Sequence, residues 1–125
     1  MDAAGNVFVA DQGNHAIRKI STGGTVSTLV GNTIQTALLN SPSNLVFDAQ
    51  GNLFITDQSG RIMEITKQSV LYTLAGKMET YGFADGTDSA ANFYSPKGIA
   101  LDAAGNLYIA DSENHRIRKV SVAIK

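Results

Sequence analysis

His15 and His115 are the two histidines of the sequence, and either could act as a general base or a metal ligand. Both stand at the end of the same short segment, Asp-x-x-Asn-His, at residues 11–15 and 111–115. A catalytic imidazole is needed once per molecule, whereas a turn is needed in every repeat, so the duplicated pair reads as architecture. In that reading Asp11 or Asp111 accepts turn amide protons and Asn14 or Asn114 takes a left-handed backbone. Two sets of aspartates, Asp2, Asp48 and Asp102, and Asp11, Asp57 and Asp111, invite paired-carboxylate chemistry. They too recur with turn signals and read as turn caps. Residues 82–88, Gly-Phe-Ala-Asp-Gly-Thr-Asp, bring Asp85 and Asp88 close enough to suggest calcium, but depart from the twelve-residue DxDxDG pattern. Phe83 and Phe93 read there as anchors of a long loop that carries a short helical turn at residues 88–92. The sequence therefore assigns no catalytic residue, no cofactor and no metal site.

Composition narrows the partners. With 125 residues, 43% apolar and 17% charged, the chain should fold as a single domain. A net charge of −1 gives no general pull towards phosphate or anionic lipid, so no nucleic acid and no membrane are expected. Cysteine is absent, which excludes disulfides, thiolate metal sites and a cysteine nucleophile. The start, Met1-Asp2-Ala3-Ala4-Gly5-Asn6, lacks the pattern of a secretion signal, and a soluble chain is expected. Nothing in these residues fixes a compartment.

Self-comparison carries most of the information. DAAGNVFVADQGNHAIRKIS, starting at Asp2, returns as DAAGNLYIADSENHRIRKVS, starting at Asp102, with roughly thirteen of twenty positions identical. A worn copy, DAQGNLFITDQSGRIMEIT, starts at Asp48 and is one residue shorter where Gln58-Ser59-Gly60-Arg61 replaces the fuller turn. The units fall at about residues 1–41, 42–95 and 96–125. Each reads as up to four short strands, a to d. Strand a, at residues 45–48 and 98–102, follows a Ser-Pro and ends at an aspartate. Gly5, Gly51 and Gly105 then supply hairpin turns. Strand b, VFVAD, LFITD or LYIAD, is nearly continuous in apolar residues and should be covered on both faces. Strand c is mixed, and strand d, TVSTLV or VLYTLA, alternates with hydroxyls as an outer strand would.

A small sheet that hides both faces must lie between copies of itself, and radial stacking of blades meets that demand. The residues reached so far resemble the NHL repeat family. PKGIALDAAGNLYIADSENHRIRKV, at residues 96–120, resembles its full repeat, and GFADGTDSAANFYSP, at residues 82–96, resembles the inter-blade loop of bacterial members. The middle copy departs at residues 59–61, where the Asn-His pair is missing. The resemblance implies an all-β propeller of four-stranded antiparallel blades, commonly six in a ring.

In strand letters the chain reads bcd, abcd, abc, an incomplete ring with two open flanks bearing residues such as Val7, Phe8, Val9, Leu107, Tyr108 and Ile109. A few hundred Å2 of apolar surface on each flank, at about 25 cal/mol per Å2, would forgo on the order of 10 kcal/mol. The expectation is a non-enzymatic scaffold and interaction module that closes to six blades by dimerisation or as another closed homo-oligomer, or that belongs to a longer propeller. Its own copies are thus the first partner, with another protein or a small ligand as further ones. A ligand surface is expected at His15, Tyr81, Phe83, Asp85, His115 and Arg116, on the face of the b–c turns and the long loop. The resemblance also implies two alternatives. One is a lactonase or lyase-like enzyme with axial calcium or zinc, whose ligand set is not visible here. The other is RNA binding through Arg18, Lys19, Arg116, Arg118 and Lys119, opposed by the net charge and by Met63 and Glu64 in the middle copy.

Overall fold

The structure, a computed structural model, describes residues 1–2, 4–31, 41–67, 71–76 and 93–120. Among these residues ten strands fall into three antiparallel sheets that follow the three units. The first sheet is β1 (Val7–Asp11), β2 (Ala16–Ile20) and β3 (Val26–Gly31), in that order. The second is four-stranded: β4 (Pro42–Phe47), β5 (Leu53–Asp57), β6 (Arg61–Ile65) and β7 (Leu71–Gly76). The third is β8 (Pro96–Leu101), β9 (Leu107–Asp111) and β10 (Arg116–Val120). The sheets are blades of an open arc, and the strand letters read from the sequence map onto them one for one.

Strand a begins earlier than its apolar residues suggest. Both β4 and β8 take the proline itself as their first residue, where no ladder hydrogen bond is required of it, and then slip register just beyond. The aspartates Asp48 and Asp102 fall after the strand, in the turn they cap.

Two apolar seams hold the arc together. Leu53, Ile55, Met63 and Ile65 of the second sheet meet Ile17, Phe8 and Ala10 of the first. Phe54, Ile62 and Ala75, from the opposite side of the second sheet, meet Phe93 and, from the third sheet, Leu107 and Ile109, which are 0% exposed here rather than on an open flank as expected. Alternate residues of β5 and β6 thus serve different seams, as the period of a strand demands. Two-sided burial of strand b holds throughout β5 alone, whose five residues are all buried. In β1, Val7 and Val9 remain 41% and 39% exposed, because the face they occupy has no neighbouring sheet among the described residues. Polar bonds reinforce the second seam: Ser43 Oγ donates to the Pro96 carbonyl and Thr56 Oγ1 to the Lys97 carbonyl, each at 2.9 Å.

Candidate functional site

The repeated carboxylates divide into two kinds of device. Asp2, Asp48 and Asp102 close the a–b turns. In each, Oδ1 accepts the backbone N–H groups two and four residues on, and Oδ2 accepts the Nδ2 amide of Asn6, Asn52 or Asn106. Gly5, Gly51 and Gly105 take φ of 88°, 91° and 88° in these turns. Donation from the Asn6 side chain holds Asp2 below the usual carboxylate value, and the Asn106 backbone N–H does the same for Asp102. Tyr108 adds its hydroxyl to Asp102 Oδ2 at 3.0 Å, and its own pKa is raised by that bond.

Asp11, Asp57 and Asp111 instead end strand b and hold arginines. Asp11 Oδ2 meets Arg18 Nη1 at 3.1 Å, and Asp111 Oδ2 meets Arg118 Nη1 at 2.8 Å. The middle copy has Met63 where those arginines stand. Its shortened turn brings Arg61 to the task, with Nη2 2.9 Å from Asp57 Oδ2 and Nε donating to Ser59 Oγ at 3.1 Å. This substitution of one arginine for another was not foreseen from the sequence, although the loss of a turn residue and the early arginine occur together there.

The b–c turns depart from expectation in detail. His15 and His115, not Asn14 and Asn114, take the left-handed backbone, with φ of 53° and 54°. The asparagines donate Nδ2 to Asp11 and Asp111 at 2.9 and 2.8 Å, which fixes them in the short 3-10 turn and passes the reversal to the next residue. The aspartates correspondingly accept these side-chain amides and the arginines. The turn-amide bond expected of them is made in the middle copy, where Asp57 Oδ1 accepts Ser59 N–H at 2.8 Å.

Of the six residues expected to line a ligand surface, Tyr81, Phe83 and Asp85 lie outside the described residues, as do the carboxylate pair of that loop and its helical turn. His115 and Arg116 are exposed neighbours at the tip of the third sheet. His15 occupies the equivalent tip of the first sheet, where its Nδ1 accepts the Ser41 N–H at 2.9 Å and ties that tip to the start of the second sheet. Among the described residues no group of three His, Cys, Asp or Glu side chains could hold a metal ion, and no helix is long and apolar enough to cross a membrane.

Comparison with known proteins agrees with this geometry. Residues 93–120 match the family model of the NHL repeat. The chain belongs to the NHL-repeat family. It is 33% identical over 87 residues to NHL repeat-containing protein 2 of Gallus gallus, a match covering 67% of this NHL chain and 12% of that protein. A structural-genomics protein of unknown function from Bacteroides thetaiotaomicron superposes with a TM-score of 0.82 at 26% identity, covering 91% of this chain and 32% of that one. Virginiamycin B lyase from Staphylococcus aureus superposes with a TM-score of 0.62 at 17% identity, over 100% of this chain and 40% of its own, a likeness of fold alone. The NHL chain thus spans a small part of this curated relative and about a third of the first solved structure.

Proposed function

We propose that this NHL chain is a non-enzymatic scaffold and interaction module whose ring is completed by self-association, two chains meeting head to tail about a twofold axis to give six blades. One observation carries the reading. Ile17, Ile62 and Ile117 hold the same position in the three repeats. The first two are 0% exposed inside the seams, whereas Ile117, on the outer flank of the third sheet, is 72% exposed. Val7 and Val9 stand in the same relation to the buried Leu53 and Ile55, on the opposite flank. Each outer flank therefore repeats one side of a seam that the chain already forms within itself, and the two flanks complement each other. Closed twofold dimers are also the commonest assemblies.

The engagement of the repeated aspartates in turn caps and ion pairs favours binding over catalysis. The face bearing His115 and Arg116 is the surface proposed for a protein or small-ligand partner. Sedimentation equilibrium at micromolar concentration tests the assembly. The expected mass is about twice 13.2 kDa, falling to that of one chain in Ile117→Lys. A monodisperse single chain for the unaltered protein would overturn the reading.

A further inference from the structure

The two internal seams differ in a group that can take up a proton. At the seam between the first and second sheets, His15 Nδ1 accepts the Ser41 N–H at 2.9 Å. Ser41 is bound into the second sheet, since its carbonyl accepts the Gln58 N–H at 3.3 Å, and Pro42 beside it stands buried opposite Asp57. One amide thus ties the b–c turn of the first sheet to that of the second. The middle unit has no histidine. Its seam with the third sheet carries the Ser43 and Thr56 hydroxyls on the Pro96 and Lys97 carbonyls, and these groups do not titrate.

An imidazole nitrogen accepts an N–H only while it carries no proton. The bond therefore fixes His15 as the neutral tautomer with its hydrogen on Nε2, and a proton added at Nδ1 would set a donor against a donor. Ser41 Oγ, 3.5 Å from Nδ1, is too distant to replace the bond unless the seam moves. The charged groups around this seam are engaged elsewhere. Asp57 and Arg61, on the side of the second sheet that carries Leu53 and Ile55, are paired at 2.9 Å. On the first sheet Asp11 and Arg18 are paired at 3.1 Å, and Lys19 lies over the Phe8 ring. Asp2 and Asp48 cap turns at the opposite end of strand b. Glu64 shares the side of β6 that carries Ile62 and faces the third sheet. Residues 32–40, which join the two sheets, contain no titratable side chain, and Lys77, Glu79, Asp85 and Asp88 lie outside the described residues. Among the described residues, His15 is the one side chain at this seam whose ordinary chemistry changes charge between about pH 5 and 8.

We propose that His15 is a proton-operated latch: the neutral imidazole holds the first sheet to the second, and protonation in mild acid releases that rim while the seam between the second and third sheets stays closed. The sign follows from the tautomer. The latch requires the uncharged ring, so its contribution is present at neutral pH and above and is lost as pH falls below about 6.5, the ordinary range of a histidine side chain. The device lies inside the chain and is independent of how the ring is completed.

Amide-resolved hydrogen exchange of the intact chain, each rate divided by the intrinsic rate at the same pH, tests the latch at about pH 7.5 and about pH 5. At the lower pH the protection of Ser41 and of Ala16–Ile20 should fall about fivefold or more, while Leu107–Asp111 keeps its protection. Side-chain 15N spectra at the higher pH should show His15 with its hydrogen on Nε2. In His15→Asn the asparagine tolerates the left-handed backbone of φ 53° but takes up no proton, so the difference between the two pH values should vanish. Ser41→Ala keeps the N–H and removes the hydroxyl, and the difference should remain. Five outcomes overturn the proposal: no loss of protection in acid, an equal loss in all three sheets, a loss that persists in His15→Asn, a neutral His15 with its hydrogen on Nδ1, or a response abolished in Ser41→Ala. The tautomer and the regional pattern are read on the unaltered chain, so they decide the matter even if a variant fails to fold.

Discussion

Asp57 and Asp11 occupy one position of the repeat, yet their arginines should differ greatly in worth. Asp57 and Arg61 are buried, and Ser59 Oγ donates to the second carboxylate oxygen at 2.5 Å. Removing the cation leaves a buried charge without its counterion, so Arg61→Met should cost about 3–5 kcal/mol in urea unfolding. Arg18→Met, at a pair that water screens, should cost about 1 kcal/mol or less. Acid stability follows from the turn caps. Asp2 and Asp102 titrate below the usual 3.8 when folded. Their stabilisation is therefore present above that value and lost as pH falls through the lowered folded values. Tyr108, raised above the usual 10.0, works in the opposite sense, its contribution being lost as pH climbs through the raised value. Tyr108→Phe, the residue already found at Phe8 and Phe54, removes one donor from Asp102. Carboxyl 13C titration should then move Asp102 part of the way back up, the Asn106 backbone and side-chain donors and the Ala104 N–H holding the rest.

At the level of the strand and its turns, the sharpest constraint is Gly76, the last residue of β7 and the partner of Arg61 across the sheet. Its φ is 86°, and a Cβ there would run into the Gly60 carbonyl oxygen. Gly76→Ala should destabilise by about 2 kcal/mol or more, whereas Gly13→Ala, with nothing within 4 Å of the added methyl, should not; thermal unfolding compares them. Most of this level was legible in the residues. Repetition located every described strand, because the Asp-x-x-Gly-Asn turn precedes strand b and an aspartate ends it in each copy, with the neighbouring strands recurring at fixed offsets. Side-chain capture was not legible. The left-handed residue was assigned to Asn14 on its local preference, and the Asn14–Asp11 bond overrides that preference by locking the asparagine one position early. The exchange of Arg61 for the missing Arg18 equivalent was hidden for a similar reason, since it depends on where a shortened turn points a long side chain. Of the expected ligand surface, His115 and Arg116 share one exposed tip, while His15 is taken up in holding two sheets together.

For the molecule as a whole, the arc has an unequal distribution of shelter. Among the described residues the second sheet is covered on both sides and the other two on one side each, so the same repeat position carries a buried isoleucine twice and an exposed one once. If the flanks meet in a dimer, the thermal midpoint should rise with protein concentration, because association adds to stability by mass action. Ile117→Ala should abolish that dependence, while Ile17→Ala should lower the midpoint at every concentration through the cavity it leaves. The two internal seams are unlike in kind. Between the second and third sheets, hydroxyls of Ser43 and Thr56 grip the backbone of the neighbouring strand. Between the first and second, Phe8 packs edge-on against Phe47 at 4.8 Å, and the link from His15 to Ser41 is made at the rim. A pull on the two ends would therefore peel the opening blade away while its companions still moved as one rigid piece.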